Sequence, residues 1–280
     1  MQTKTLPKRI WFLWFQGKTE MPEIVKMCYK SWQHHNPNWE IVFLEDNNLN
    51  DFIDFKSELN LYREKIPLQA QSDIIRINLL NKFGGVWVDS TCYCTRSLDS
   101  WLPKYLDSGF FAFSRPNTDR MISSWFLAAN KNNHLVETYC TATNLFWRNN
   151  PPLKVMNKNE NKTFLESILF KFLTSKPANW HTPFIKNNFS FSHYFWFHYL
   201  FEHLYKRDAA FKEAWDSTKK VSANLPHKLM HHGFAVEPNE EIKKEISQPE
   251  APLFKLNWRI PMDNSQNTTL GFLLEHERQQ

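Results

Sequence analysis

Gln69-Ala70-Gln71-Ser72-Asp73-Ile74-Ile75-Arg76-Ile77-Asn78-Leu79-Leu80-Asn81-Lys82-Phe83-Gly84-Gly85-Val86-Trp87-Val88-Asp89 is the stretch on which the fold turns. From Gln69 to Phe83, Ile74, Ile75, Ile77, Leu80 and Phe83 recur at helical spacing, and Gly84 offers a C-cap. Gly85 to Asp89 then reads as a short buried strand that ends in a carboxylate. A helix delivered into a buried strand by two glycines is a unit of an α/β sheet.

Working outward, Arg9 to Phe15 is a continuous apolar run closed by Gln16-Gly17, as expected of a fully buried strand. Pro22 starts a helix carrying Ile24, Val25, Cys28, Tyr29 and Trp32, which Asn36-Pro37 stops. Trp39 to Leu44 is a second strand, and Phe110 to Phe113 another. Helical patterns follow over 133–148, 162–173, 194–206 and 208–220. Pro151-Pro152 and the Asn/Lys-rich 157–162 mark a boundary. The expected organisation is an α/β ligand-binding core over 1–150, a mainly helical portion of the same domain over 151–238, and a charged, proline-punctuated tail over 239–280.

Composition narrows the chemistry. The 280 residues hold only 6 glycines, where average usage predicts about 20. No Walker loop, Gly-x-Gly-x-x-Gly turn or Gly-x-Ser-x-Gly elbow can be written with them, and there is no His-Glu-x-x-His helix. P-loop NTPase, dinucleotide oxidoreductase, α/β-hydrolase and zincin are thereby disfavoured. The longest apolar runs, Ile10 to Phe15 and Tyr194 to Phe201, fall short of the roughly 20 residues that cross a bilayer. No signal region is visible, and Cys28, Cys92, Cys94 and Cys140 form no CxxC pair, so reduced thiols in a cytoplasmic protein are expected. The net charge of +5 suits phosphate-bearing ligands or an anionic membrane surface, and no nucleic-acid signature accompanies it.

Few residues invite chemistry. Asp89, at the C-terminal edge of a central strand, lies where open α/β sheets bind ligands. There it can hold a divalent cation or a ribose hydroxyl, or be a plain turn aspartate. Asp73 and Arg76, three apart on one helix face, make either an intrahelical ion pair or a contact set for sugar and phosphate oxygens. Trp14 can stack on a base or pack in the core. His227-Lys228 supplies a late imidazole and a cation within reach of a metal or diphosphate.

The order of these fragments matches a family. Arg9-Ile10-Trp11-Phe12-Leu13-Trp14-Phe15-Gln16-Gly17, Ser31-Trp32 and Asn36-Pro37-x-Trp39-Glu40 resemble the start of sugar-nucleotide transferases. Gln71-Ser72-Asp73-Ile74-Ile75-Arg76 with Gly84-Gly85-Val86-Trp87-Val88-Asp89 looks like their core. Gly85-Val86-Trp87-Val88-Asp89-Ser90-Thr91, Trp125-Phe126-x-Ala128-Ala129, Tyr194 to Phe201 and Pro226-His227-Lys228-Leu229 make the capsular polysaccharide synthesis group the nearest likeness. Glycosyltransferase family 32 and the glucosyltransferase domains of large clostridial toxins are also similar. The resemblance implies a GT-A fold, a Rossmann-like mixed sheet with added helices, and transfer with retention. It implies that Trp14 stacks on the donor base, that Ser72, Asp73, Arg76, Gly84 and Gly85 surround the donor, and that Asp89 opens an Asp-x-Asp motif at ribose and metal. It places His227 and Lys228 over the diphosphate, with Asp89 and His227 as metal ligands, and gives Asp89, Asp73 and Arg76 catalytic roles.

One departure matters. Thr91 stands where the motif's second acid would be. Mg²⁺ and Mn²⁺ favour carboxylate oxygens, so the expected cofactor is a divalent cation whose necessity Thr91 puts in question. The expected activity is transfer of a hexose from a nucleotide sugar, a UDP-sugar by preference, to a saccharide or lipid-linked saccharide, with peripheral contact at the inner face of the plasma membrane. Rival expectations are a toxin-like protein glycosyltransferase and a binding module without turnover.

Overall fold

The computed structural model describes residues 5–149, 154–156, 164–181, 191–259 and 267–279. In chain order the first half carries β1 (Arg9–Leu13), α1 (Glu23–His35), β2 (Glu40–Leu44), α2 (Leu68–Phe83), β3 (Gly85–Asp89), β4 (Cys92–Cys94), α3 (Leu98–Trp101), β5 (Phe110–Asn117), β6 (Arg120–Ala129) and α4 (His134–Asn149). Then come β7 (Lys154–Met156), α5 (Phe164–Ser175), β8 (Phe191–His193), α6 (Trp196–Arg207), α7 (Ala209–Asp216), β9 (Val221–Ser222), α8 (Lys228–His232), α9 (Glu240–Ser247), β10 (Leu253–Lys255) and α10 (Thr269–Gln279).

Six strands form one mixed sheet in the order β2-β1-β3-β6-β5-β9. β1 runs parallel to β2 and β3, whereas β6 is antiparallel to both β3 and β5. A Rossmann-like parallel half thus continues into an antiparallel half, the α/β sheet expected of a GT-A fold. Alternation along the strands sorts the core into two faces. Ile10 and Phe12 with Val86 and Val88 pack on the α1 side, while Trp11 and Leu13 with Trp87 pack on the side of α2, α4 and α6. Because the period is two, Asp89 falls on the same face as Trp87, towards α2.

Helix α2 is buried nearly all round, including Gln71, Asp73, Arg76 and Asn78. Sequence spacing anticipated an apolar stripe; sandwiching between the sheet and α4 buries the polar positions as well. Asn78 and Asn144 exchange amide hydrogen bonds of 2.9 Å across that second contact. The helix ends because Gly84 and Gly85 have φ of +68° and +96°. A Cβ on Gly85 would lie 2.6 Å from the Arg9 carbonyl oxygen, so only glycine lets the chain drop from helix to central strand here.

The C-terminal segment is built into the fold rather than trailing from it. β10 pairs antiparallel with β4, matching Lys255 to Cys92, and α9 and α10 pack with α1 around Ile24, Cys28, Ile242, Ile246 and Leu273. The mutual apolar burial of these elements explains why a charged stretch is ordered: all charges of α9 but Glu245 stay outside while Ile242 and Ile246 face inward. Buried Glu245 fixes the approach to β10, accepting the backbone N–H groups of Glu250 and Ala251 at 2.9 and 3.0 Å. All four cysteines are free and buried, and burial pushes the Cys92 and Cys94 thiols up to about 12.

Candidate active site

The C-terminal ends of β1 and β3 open into a cleft of about 1120 Å³. Its floor is built by α2 and β3. The Arg76 guanidinium, itself buried, donates to Asp89 Oδ1 at 2.9 Å, to Ser72 Oγ at 3.1 Å and to Asp73 Oδ1. Trp87 Nε1 donates to the same Asp89 oxygen at 2.9 Å, and its ring lies 5.1 Å beneath the guanidinium carbon. The helical spacing of Ser72, Asp73 and Arg76 and the strand spacing of Trp87 and Asp89 therefore converge on one carboxylate. Burial alone would raise the Asp89 carboxyl, but Arg76, Lys255 and the Trp87 N–H hold it below its usual range.

Lys255 enters from the C-terminal segment. Its Nζ lies 3.7 Å from Asp89 Oδ2 and donates to Thr91 Oγ1. The Lys255 backbone N–H donates to Pro226 O at 2.9 Å, and the Leu256 N–H to Thr91 O at 2.8 Å. One short strand is thus fastened both to the Asp89-Ser90-Thr91 turn and to the loop before His227.

Among the described residues, five cationic side chains line the cleft, Arg76, Arg115, Arg120, Lys255 and Arg259, against one carboxylate, Asp89. The sequence spreads basic residues along the chain; the fold gathers a surplus of four here, comparable to the +5 of the whole protein. Two buried histidines stand at the walls. Burial, with His231 and Lys255 nearby, pushes His227 down to about 4, and burial beside Arg120 and Arg76 pushes His198 well below its ordinary value. Both are neutral imidazoles at neutral pH. Arg115 adopts a φ of +50° where β5 departs from regular pairing with β6, a backbone conformation that L side chains rarely take.

The sequence-derived site divides in three. Trp14, Ser72, Arg76, Asp89 and His227 line the cleft together. Asp73 is held beneath it, 3% exposed, as the partner of Arg76 rather than as a lining residue. Gly84, Gly85 and Lys228 lie elsewhere. The two glycines sit at the opposite end of β3 from Asp89, where they serve the helix-to-strand turn. Lys228 is turned to α9, 3.0 Å from Glu241 and 3.1 Å from Glu245.

Sequence reasoning missed Lys255, Arg259 and Trp258. Trp258, 43% exposed, meets Trp14 edge-to-face at 5.8 Å, while Trp14 Nε1 donates to Glu20 O at 3.2 Å. Nothing in the local sequence marks these residues, because Lys255, Trp258 and Arg259 sit in the mixed apolar and polar run from Leu253 to Met262.

The residues expected to hold a divalent cation do not make a site for one. Asp89 Oδ1 already accepts from Arg76 and Trp87, its Oδ2 faces an ammonium, and Thr91 is a neutral hydroxyl engaged by the same ammonium. Among the described residues no group of three or more His, Cys, Asp or Glu side chains is arranged to hold a metal ion. Nor is any helix among them long and apolar enough to cross a membrane.

Comparison with known proteins adds the following. The family described as capsular polysaccharide synthesis protein matches residues 1–155 and 156–273. The chain is 24% identical over 162 residues to O-glycosyltransferase braB of Annulohypoxylon truncatum, covering 51% of this chain and 38% of that protein. It is 26% identical over 180 residues to an uncharacterised glycosyltransferase of Acanthamoeba polyphaga mimivirus, covering 62% and 68%. It is 32% identical over 104 residues to inositol phosphoceramide mannosyltransferase 3 of Schizosaccharomyces pombe, covering 36% and 28%. The match thus spans little more than a third of the first of these relatives. Among solved structures, the PaToxG glycosyltransferase aligns with a TM-score of 0.37 at 14% identity, over 75% of this chain and 78% of that one.

Proposed function

The chain belongs to the capsular polysaccharide synthesis protein family, and we propose that it is a retaining glycosyltransferase. In this reading it moves a hexose from a nucleoside-diphosphate sugar, a UDP-sugar by preference, to a hydroxyl of a saccharide or lipid-linked saccharide. The observation that carries the reading is the cleft's charge: five cations around one tightly held carboxylate, at the strand ends where α/β sheets bind ligands.

Breaking an anomeric C–O bond leaves negative charge on the departing diphosphate. Groups that lower this barrier are cations fixed in advance where charge develops, because they need no reorganisation during the reaction. Arg76 is fixed in that sense by Asp73, Ser72 and Asp89. Trp14, with Trp258 against it, supplies an aromatic wall for the base. Asp89, held ionised, accepts donor hydroxyls through the lone pairs that Arg76 and Trp87 leave open.

Retention needs either a carboxylate nucleophile or attack by the acceptor on the face the diphosphate leaves. Asp89 is the one carboxylate among the described lining residues, and two hydrogen bonds blunt its Oδ1. Same-face attack, with the leaving phosphate taking the acceptor proton, therefore asks less of this site. The exposed apolar side chains Leu68, Tyr194 and Met230 on the cleft rim form the acceptor's approach. Work at the inner membrane face on a lipid-linked acceptor belongs to the same proposal.

The test is release of free sugar from a panel of UDP-sugars. At least one donor is turned over slowly, and Asp89→Asn lowers that rate by about 100-fold. A protein that neither binds nor hydrolyses any nucleotide sugar refutes the reading.

A further inference from the structure

Resting on the nucleotide-sugar reading above, we propose that Lys255 takes the place of a divalent ion in this active site, binding the donor diphosphate so that no metal is needed. Of the positions from which a metal would be held, His227 lines the same cleft. The other two meet the Lys255 Nζ: Asp89 Oδ2 lies 3.7 Å away, and Thr91 Oγ1 accepts its hydrogen bond. The replacement is chemically consistent at each of them. A carboxylate neutralised by Arg76 and Lys255 has little charge left to attract a dication. A hydroxyl in place of a second acid suits a donor ammonium better than Mn²⁺ or Mg²⁺.

The ammonium is also placed rather than incidental. Lys255 ends a strand paired to Cys92, with backbone bonds to Pro226 and, through Leu256, to Thr91. Behind that strand, buried Glu245 fixes the turn at Glu250 and Ala251. The side chain is 18% exposed and lines the cleft, so a donor direction that Thr91 does not take can meet a phosphate oxygen, with Asp89 as counter-charge 3.7 Å away. It is the long-range counterpart of Arg76: one cation rises from the sheet floor and the other comes from the C-terminal segment, on either side of Asp89.

The test is calorimetric titration of UDP into the full-length chain in EDTA and in Mn²⁺, with hydrolysis of the best UDP-sugar under the same conditions. Wild type is expected to bind UDP equally, within about twofold, in both. Lys255→Gln keeps a polar side chain but not the charge, and should weaken UDP by about 30-fold, the scale of a charge-assisted hydrogen bond. Lys255→Arg should recover most of that loss, and circular dichroism of all three proteins should coincide. Wild-type binding or hydrolysis that vanishes in EDTA and returns with Mn²⁺ overturns the inference, as does Lys255→Gln binding like wild type. UDP binding in neither buffer defeats the nucleotide-sugar reading itself, and this inference with it.

Discussion

The two ends of β3 are four residues apart in sequence and opposite in kind. At the entry, Gly84 and Gly85 have positive φ and no room for a Cβ, so what matters there is backbone. At the exit, Asp89 gathers Arg76, Trp87 and Lys255, so what matters there is side-chain charge. A strand of this length separates the ends by about 13 Å, too far for one donor phosphate to touch both. A motif that reads as one unit in sequence therefore serves two purposes, folding at one end and ligand chemistry at the other.

Substitutions at the two ends should separate these purposes. The largest effect on the folded state is expected at the entry. Gly85→Ala sets a Cβ 2.6 Å from the Arg9 carbonyl oxygen at a φ of +96°, and should cost about 3 kcal/mol in urea unfolding. UDP affinity per folded molecule should stay unchanged; a fall in affinity at constant stability would give the glycines a ligand role. At the exit, Asp89→Asn should cut donor turnover about 100-fold while costing no more than about 1 kcal/mol of stability, because the amide oxygen still accepts from Trp87 and Arg76. Next come the aromatic walls: Trp14→Ala and Trp258→Ala should each weaken UDP by about tenfold without changing turnover of bound donor, measured as a split between KM and kcat.

The remaining expected effect concerns pH. The unfolded chain takes up a proton at His227 near pH 6.5, but the folded site resists protonation until about 4. The folded pKa is depressed, so the unfolded state binds more protons in this window and stability falls as pH drops from about 6.5 towards 4. His227→Gln should flatten that part of the stability profile relative to wild type, as followed by thermal unfolding between pH 4 and 7. An unchanged slope would mean that His227 is not buried in its neutral form.

How much of this was legible beforehand differs along the chain. The helix from Gln69 to Phe83, the glycine turn and the strand to Asp89 are local features, written in spacing that neighbours enforce. So is the convergence of Ser72 and Arg76, one helical turn apart, and with it half of the floor. The functional grouping of Gly84 and Gly85 with Asp89 overlooked strand rise, a signal that was present. Asp73 was correctly joined to Arg76, but its depth beneath the cleft depends on α4 and α6 packing over α2. Lys255 was invisible for a different reason: it meets Thr91 across 164 residues of chain, through a β10–β4 pairing that no local pattern announces. The resemblance places Lys228 over the diphosphate together with His227, yet Lys228 points to α9 while the distant Lys255 lines the cleft.

The central claim is that the fold gathers cations at the exit of β3 to hold a diphosphate. It is tested most directly by titrating uridine, UMP and UDP into the wild-type protein at one ionic strength. Affinity should climb at each added phosphate, with UDP binding at least about 100-fold more tightly than uridine, and most of the gain should disappear in high salt. Equal affinity for uridine and UDP, or binding that ignores salt, would contradict it.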